Sequence, residues 1–307
     1  MKSSVWHPNT QMEEWDSFDK ITRGKGVWLI DSKGNKLLDA VGSMWCNVWG
    51  HSNAELIKAI TSQSKKLQHS SMFNLTNEPA EKLADNLIKI SPTMHKVFYS
   101  DNGSSAMEIA IKIALQYWKN VGDKKKTEIA TIENGYHGDT FGAMSVGYVP
   151  EFFGKFKKQL FSTIQFPIPN KYRIPKKYSL KDYQTQCIEN IENKFSKNNN
   201  IAAFIMESGA QMAGGVIIYP KGFQKQIRQL CKKYDVLFVL DEIATGFGRL
   251  GSMIQYEEQK SIPDIVSFGK MLTGGYLTMA ATLTNKKIYD SFSGEFNDWK
   301  HLFHGHT

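Results

Sequence analysis

The chain of 307 residues is 41% hydrophobic and 22% charged, which excludes disorder, and its longest apolar runs, such as Val236–Leu240, are too short to span a bilayer. The first twenty residues lack the apolar core of a signal peptide, and the three cysteines (Cys46, Cys187, Cys231) are too far apart for a disulfide framework or a cysteine metal site, so a cytoplasmic enzyme or binding protein is expected. The net charge of +8 does not point to nucleic acid: only four of the 38 basic residues are arginines (Arg23, Arg173, Arg228, Arg249), and the lysines are scattered over polar stretches.

Val27–Ile30 and Lys36–Ala40 read as a hairpin around the turn-rich Asp31–Asn35. Ala54–Leu67 and Pro79–Ile90 are expected to be helical, Val97–Ser100 a strand. Ser104–Lys119 is a helix with Ala106, Ile109, Ala110, Ile113, Ala114 and Tyr117 on one face. Glu128–Ile132 is a strand and 147–178 is irregular. Leu180–Phe195 (helix), Ile201–Met206 (strand), Lys221–Tyr234 (helix) and the strands Val236–Leu240, Ile265–Phe268 and Met279–Leu283 complete the pattern. Strands alternating with helices imply an α/β fold, a mostly parallel sheet covered on both faces.

Ligands of such sheets lie beyond the carboxyl ends of the strands. After Val97–Ser100 the chain runs through Asp101-Asn102-Gly103-Ser104-Ser105 straight into a helix. Free amides and the helix dipole there suit an anion, although helix capping by a serine accounts for the residues equally well. After Glu128–Ile132 comes Asn134-Gly135-Tyr136-His137-Gly138-Asp139-Thr140. Its exposed aromatic could stack on a planar ligand, or pack under its own loop. Asp241 and Glu242 follow Val236–Leu240, and Glu207 ends Ile201–Met206 on the same rim. A carboxylate at the end of an apolar strand needs a cation, such as a ligand's protonated ring nitrogen, or a cap. Gly246-Phe247-Gly248-Arg249-Leu250-Gly251 is not a dinucleotide fingerprint: it neither follows the first strand nor precedes an acid at residue 271, which is Met271. Lys270, between Ile265–Phe268 and the turn Thr273-Gly274-Gly275, is placed as an imine-forming amine. His301, His304 and His306 have a possible zinc spacing, but Gly305 interrupts them and no acid joins, so no metal is expected. An anion cradle, a stacking aromatic, a carboxylate for a pyridinium and an amine for an aldehyde together call for pyridoxal 5′-phosphate.

Leu240-Asp241-Glu242-Ile243-Ala244-Thr245-Gly246-Phe247-Gly248-Arg249, with Gly269-Lys270 and Thr273-Gly274-Gly275, resembles the class III pyridoxal-phosphate aminotransferases of fold type I. Trp6-His7-Pro8, Trp45 before Trp49-Gly50-His51, Gln116-Tyr117-Trp118, Tyr136–Thr140 and His304-Gly305-His306-Thr307 narrow the resemblance to the branch of that family working in biotin synthesis. The resemblance implies an aminotransferase that converts 8-amino-7-oxononanoate to 7,8-diaminononanoate, with S-adenosylmethionine or lysine as amino donor. It implies that Lys270 bonds the cofactor, Asp241 pairs with the pyridine nitrogen, Gly103 and Ser104 bind the phosphate, and Tyr136 lies against cofactor and substrate. It further implies that Trp45 and Gly305 contact substrate, and that His306 and Thr307 reach the cofactor phosphate of a second subunit, making a homodimer with shared sites. Residues 1–45 would then contribute to an incomplete small domain and 46–307 form the large cofactor-binding domain. A longer C-terminal segment would complete the small domain and supply an arginine for the substrate carboxylate, and none of the four arginines stands there. Asn9 replaces an aromatic that usually follows Trp-His-Pro. Another class III ω-aminotransferase, or a non-catalytic truncated remnant, are the alternatives these residues leave open.

Overall fold

The computed structural model describes residues 3–15 and 17–305. The chain forms two compact units, one of residues 1–69 with 274–276, the other of 70–273 with 277–307.

The first unit holds a three-stranded antiparallel sheet, β1 (Ile21–Lys25), β2 (Trp28–Asp31) and β3 (Lys36–Leu38). The hairpin read from the sequence is β2–β3, and β1 is an added strand. Asp31 shapes the turn: its carboxylate accepts from the amides of Lys33 and Asn35, both at 2.8 Å, and from the Asn35 side chain. The helix Ala54–Ser64 is capped by Asn53, whose side chain accepts from the amides of Glu55 and Leu56. Between them, Gly42–Trp45 forms one left-handed turn. That conformation costs roughly 1–2 kcal/mol for each residue with a Cβ, and no propensity rule would place it.

The second unit is built on a seven-stranded sheet. Its strands are β4 (Lys96–Ser100), β5 (Glu128–Ile132), β6 (Ile164–Phe166), β7 (Ile201–Glu207), β10 (Leu237–Asp241), β11 (Ile265–Phe268) and β12 (Ala280–Thr284). A two-stranded ribbon, β8 (Ala210–Gln211) with β9 (Ile217–Ile218), follows β7. The order is β4-β12-β11-β10-β7-β5-β6, and only β12 runs against its neighbours, so the sheet is mostly parallel as expected. The stretch 147–178 departs from the irregular reading: β6 pairs in parallel with β5 at the sheet edge. Three residues on an edge carry too little periodicity to be seen in sequence.

β7 and β10 are buried along their whole length. Continuous apolar runs of this kind suit a parallel strand covered on both faces. Phe204, Met206, Phe238 and Leu240 face one core with helices Leu180–Phe195 and Phe223–Lys233. Ala203, Ile205, Leu237 and Val239 face the other, against helix Gly103–Asn120. That helix buries all six residues of its predicted apolar face. Among the described residues, no helix is long and apolar enough to cross a membrane.

Asp264 ties the edges of this core. Its carboxylate receives both Arg228 guanidinium nitrogens (2.8 and 3.3 Å), the Phe238 amide (2.9 Å) and the Asn285 side chain (3.0 Å). Asp264→Ala would strand a buried amide and a half-covered guanidinium. It is expected to lower stability by about 2–3 kcal/mol, read as a lower urea midpoint at unchanged slope; an unchanged midpoint would remove Asp264 as a structural tie.

Candidate active site

Three segments leave adjacent strands at the carboxyl edge of the second unit and meet there. Asp241 ends β10 and lies in register with Glu207 of β7 and Ser267 of β11. Lys270 follows β11 by two residues.

Asp241 is 4% exposed. Its Oδ1 accepts from the Ile243 amide and its Oδ2 lies on His137 Nδ1, both at 2.8 Å. His137 is itself buried, and its Nε2 has no hydrogen-bond partner among the described residues. His137 sits in the loop after β5, so the pair joins two strand ends. Glu207, also buried, anchors the same loop by accepting from the amides of Tyr136 (3.1 Å) and Met212 (2.8 Å). Burial pushes the Glu207 carboxyl up to about 7, opposed by the nearby His137. Glu242, buried beside Asp241, is pushed up to about 7 for the same reason, although the amides of Gln255 and Tyr256 oppose it.

Gly103 and Ser104 open the 18-residue helix after β4. The Asn102 side chain takes the amide of Ser105 and its carbonyl that of Ala106. The amides of Gly103 and Ser104, in the first turn, have no intrahelical acceptor to take them. Ser104 Oγ accepts from the Asp139 amide at 3.2 Å, and Gly138, at φ 123°, packs so tightly on Ser104 that a Cβ would fall 2.0 Å from its hydroxyl. No other residue fits there. Ile243 joins the remaining pieces: a Cβ on Gly103 or on Gly269 would lie 3.0 or 3.1 Å from its side chain. The helix start, the Asp241 turn and the residue before Lys270 therefore pack on one isoleucine.

Lys270 has a left-handed backbone, φ 45°, a strained state that concentrates at functional sites. Tyr136 is half-buried. Its ring stacks on Phe153 at 6.0 Å and its hydroxyl donates to Asp139 at 3.0 Å, so one face packs under its own loop. Burial and Asp139 raise its pKa.

The structure thus brings together Gly103, Ser104, Tyr136, Asp241 and Lys270. Gly305 stands apart, against Phe73, in a cavity of about 440 Å³ along β4. Trp45 belongs to the first unit, and His306 and Thr307 lie outside the described residues. Glu207 and His137 are the additional members of the cluster. Glu207 is signalled in sequence by ending its strand as Asp241 does; the His137 contact spans 104 positions and has no local signal.

Residues 11–307 match the class III aminotransferase family, and the chain belongs to that family. It is 44% identical over its whole length to the adenosylmethionine-8-amino-7-oxononanoate aminotransferase of Aquifex aeolicus and 46% identical, over 99% of the chain, to that of Staphylococcus aureus. In both it covers 68% of the relative's length. The crystal structure of the Methanocaldococcus jannaschii enzyme of the same name superimposes at TM-score 0.89, with 43% identity, covering all of this chain and 69% of that one. An amine transaminase from an uncultivated Pseudomonas species, solved with pyridoxal phosphate bound, superimposes at 0.93 with 31% identity, covering all of this chain and 71% of that one.

Two buried carboxyls with raised pKa values make stability depend on pH. Glu207 and Glu242 bind protons in the folded state that the unfolded chain, titrating near 4.5, has already released. Their stabilising protonation is complete below 4.5 and lost as pH rises through about 7. Melting temperature of the cofactor-free protein should therefore fall from pH 5 to pH 7.5. Glu207→Gln removes the titrating group, keeps an acceptor for only one of the two amides, and should flatten that fall, leaving the Glu242 share, from a lower starting stability. Identical slopes in both proteins would show that Glu207 is ionised throughout.

Proposed function

We propose that this chain is the aminotransferase of biotin synthesis that moves an amino group from adenosylmethionine to the ketone of 8-amino-7-oxononanoate, in the cytoplasm and as a homodimer. The observation that carries the reading is the convergence of Asp241, Gly103 and the Gly269-Lys270 step on Ile243, in a chain similar over its whole length to enzymes of that name. Amine transaminases share the fold equally well, so the fold does not separate the two substrates. Identity does, at 44–46% against 31%. Adenosylmethionine rather than lysine as donor is supported by the names of those relatives.

The residues present fit pyridoxal phosphate. Two buried carboxyls, Asp241 and Glu207, lie beside one histidine, His137, which favours a cation over an anion. An anion has its place at the amides of Gly103 and Ser104 instead. Asp241 would hold the protonated ring nitrogen, Gly103 and Ser104 the phosphate, Tyr136 one face of the ring, and Lys270 the carbonyl carbon. When bound, the cofactor supplies a carbonyl to receive the amino group and a ring that draws electrons from the donor carbon. Asp241, kept in place by His137 and the Ile243 amide, keeps the ring nitrogen protonated. Lys270 Nζ takes the proton from the donor's amine-bearing carbon and returns it on the other side of the transfer. Trp45 lines the pocket of the keto substrate. Gly305 contacts substrate, and His306 and Thr307 serve the cofactor phosphate of the second subunit.

Lys270→Ala is expected to abolish transamination while equilibrium dialysis still finds reversible cofactor binding, because the phosphate and ring contacts do not involve Nζ. Wild-type turnover in this variant would refute the assignment of the amine.

Asp241→Asn keeps the shape and removes the charge. A charge-assisted bond contributes about 1.5–3 kcal/mol, so single-turnover kinetics of the donor half-reaction should slow on the order of 10–100-fold, with a smaller change in cofactor Kd. A rate within about twofold of wild type would reduce Asp241 to a turn cap.

A further inference from the structure

Four successive residues of the first unit coil against the natural hand of the chain. Gly42, Ser43, Met44 and Trp45 have φ of 58°, 48°, 63° and 68°. The Trp45 amide donates to the Val41 carbonyl and the Cys46 amide to that of Gly42, both at 3.0 Å. These are helical hydrogen bonds on a left-handed turn. Only Gly42 suits this conformation; the other three crowd a Cβ against the backbone. Such a segment persists where its surroundings over-determine it.

Asp39 is that determinant. Its Oδ1 accepts from the Ser43 amide at 2.9 Å, and its Oδ2 accepts from the Ser43 hydroxyl at 2.7 Å. The same Oδ2 lies 2.9 Å from His51 Nε2, and the carboxylate is only 8% exposed. The Ser43 amide is the largest cause holding this carboxyl below the usual range. His51 is fixed in turn, because its backbone exchanges two hydrogen bonds with Gly26 (2.8 and 3.0 Å) at the tip of the β1–β2 hairpin. A line of contacts thus runs from hairpin to His51 to Asp39 to Ser43, two residues from Trp45. Ser43, Cys46 and His51 also line a cavity of about 310 Å³ with Gly274–Tyr276, a segment that begins four residues along the chain from Lys270.

We infer that Asp39 is a positioning residue that holds Gly42–Trp45 in its left-handed turn and so sets Trp45 where the amino-group acceptor binds. The inference rests on the reading of Trp45 as a wall of the keto-substrate pocket.

The test uses Asp39→Ala and Asp39→Asn in two measurements. In hydrogen exchange on the cofactor-free protein, amides of 42–47 should exchange at least tenfold faster in Asp39→Ala and to a lesser degree in Asp39→Asn, with β7 and β10 unchanged. In calorimetry on the cofactor-loaded protein, the Kd for 8-amino-7-oxononanoate should rise at least tenfold while that for pyridoxal phosphate moves less than threefold. Adding Met44→Gly to Asp39→Ala should recover at least threefold in both, because glycine adopts φ 63° without crowding. Met44→Gly alone should leave exchange in 42–47 equal or slower, the reverse of its effect in a right-handed helix, and it carries the test if Asp39→Ala fails to fold. Unchanged exchange in the Asp39 variants, faster exchange with unchanged ketone affinity, or a loosening by Met44→Gly would each overturn the inference. A wild-type protein that binds no ketone would instead overturn the substrate reading, and the exchange measurement would still decide whether Asp39 holds the turn.

Discussion

The buried carboxylate of Asp241 is the constraint around which the second unit is arranged. An ionised group at the end of an all-apolar strand is expensive to desolvate. Two neighbours offset that cost, the Ile243 amide and the His137 ring. Each reaches the carboxylate only because another element is fixed. The Ile243 amide depends on the turn after β10, and His137 on a loop that leaves β5 two strands away in the sheet. That loop is tethered at Tyr136 by Glu207 and at Asp139 by Ser104. Glu108 tethers it again at Gly142 and Ala143, whose amides donate to its carboxylate at 2.8 and 3.1 Å. The contacts that satisfy one charge therefore also place the aromatic and the helix start.

The sheet separates opposite electrostatic demands. Parallel register puts Asp241 beside Glu207, so two carboxyls meet at the ends of β7 and β10, and burial with the neighbouring Asp241 keeps the Glu207 carboxyl raised to about 7. The helix start after β4 presents amide hydrogens, a positive end. A ligand with a cationic ring and an anionic tail matches the pair; a uniformly charged one does not. The spacing between the two ends is set by Ile243, packed against Gly103 and Gly269, and so by side-chain volume rather than by charge.

Much of this was legible in the residues. Glu128–Ile132 and Leu180–Phe195 have the bounds read from sequence, because turn residues or a capping serine bracket strongly periodic or continuous apolar runs. Lys270 and Asp241 stood out for a related reason, since charged residues at the ends of buried strands conflict with their surroundings. What stayed hidden is non-local or chiral. β6 is short and lies at an edge. The His137–Asp241 pair depends on which strands become neighbours. The turn at Gly42–Trp45 contradicts the local preference of three of its four residues, and a reading by propensity is blind to a conformation that its own rules disfavour.

Two of the left-handed places in the backbone lie at residues that the proposed site uses, Lys270 and Trp45. Lys270 is left-handed two residues after a strand buried along its whole length, and Trp45 ends a left-handed turn tied down by the Asp39 carboxylate. In both places a rigid neighbour absorbs the cost. β11 is held by β10 and β12 on its two sides, and Asp39 is braced by His51. A backbone state costing about a kilocalorie or more is a burden where no neighbour holds it. Beside a rigid support it has the opposite value, because the same crowding that makes it costly removes alternative directions for the side chain. Lys270 and Trp45 stand on a backbone with few other ways to run, which suits the roles proposed for them, since a group that is to meet a small substrate in one orientation needs few alternatives.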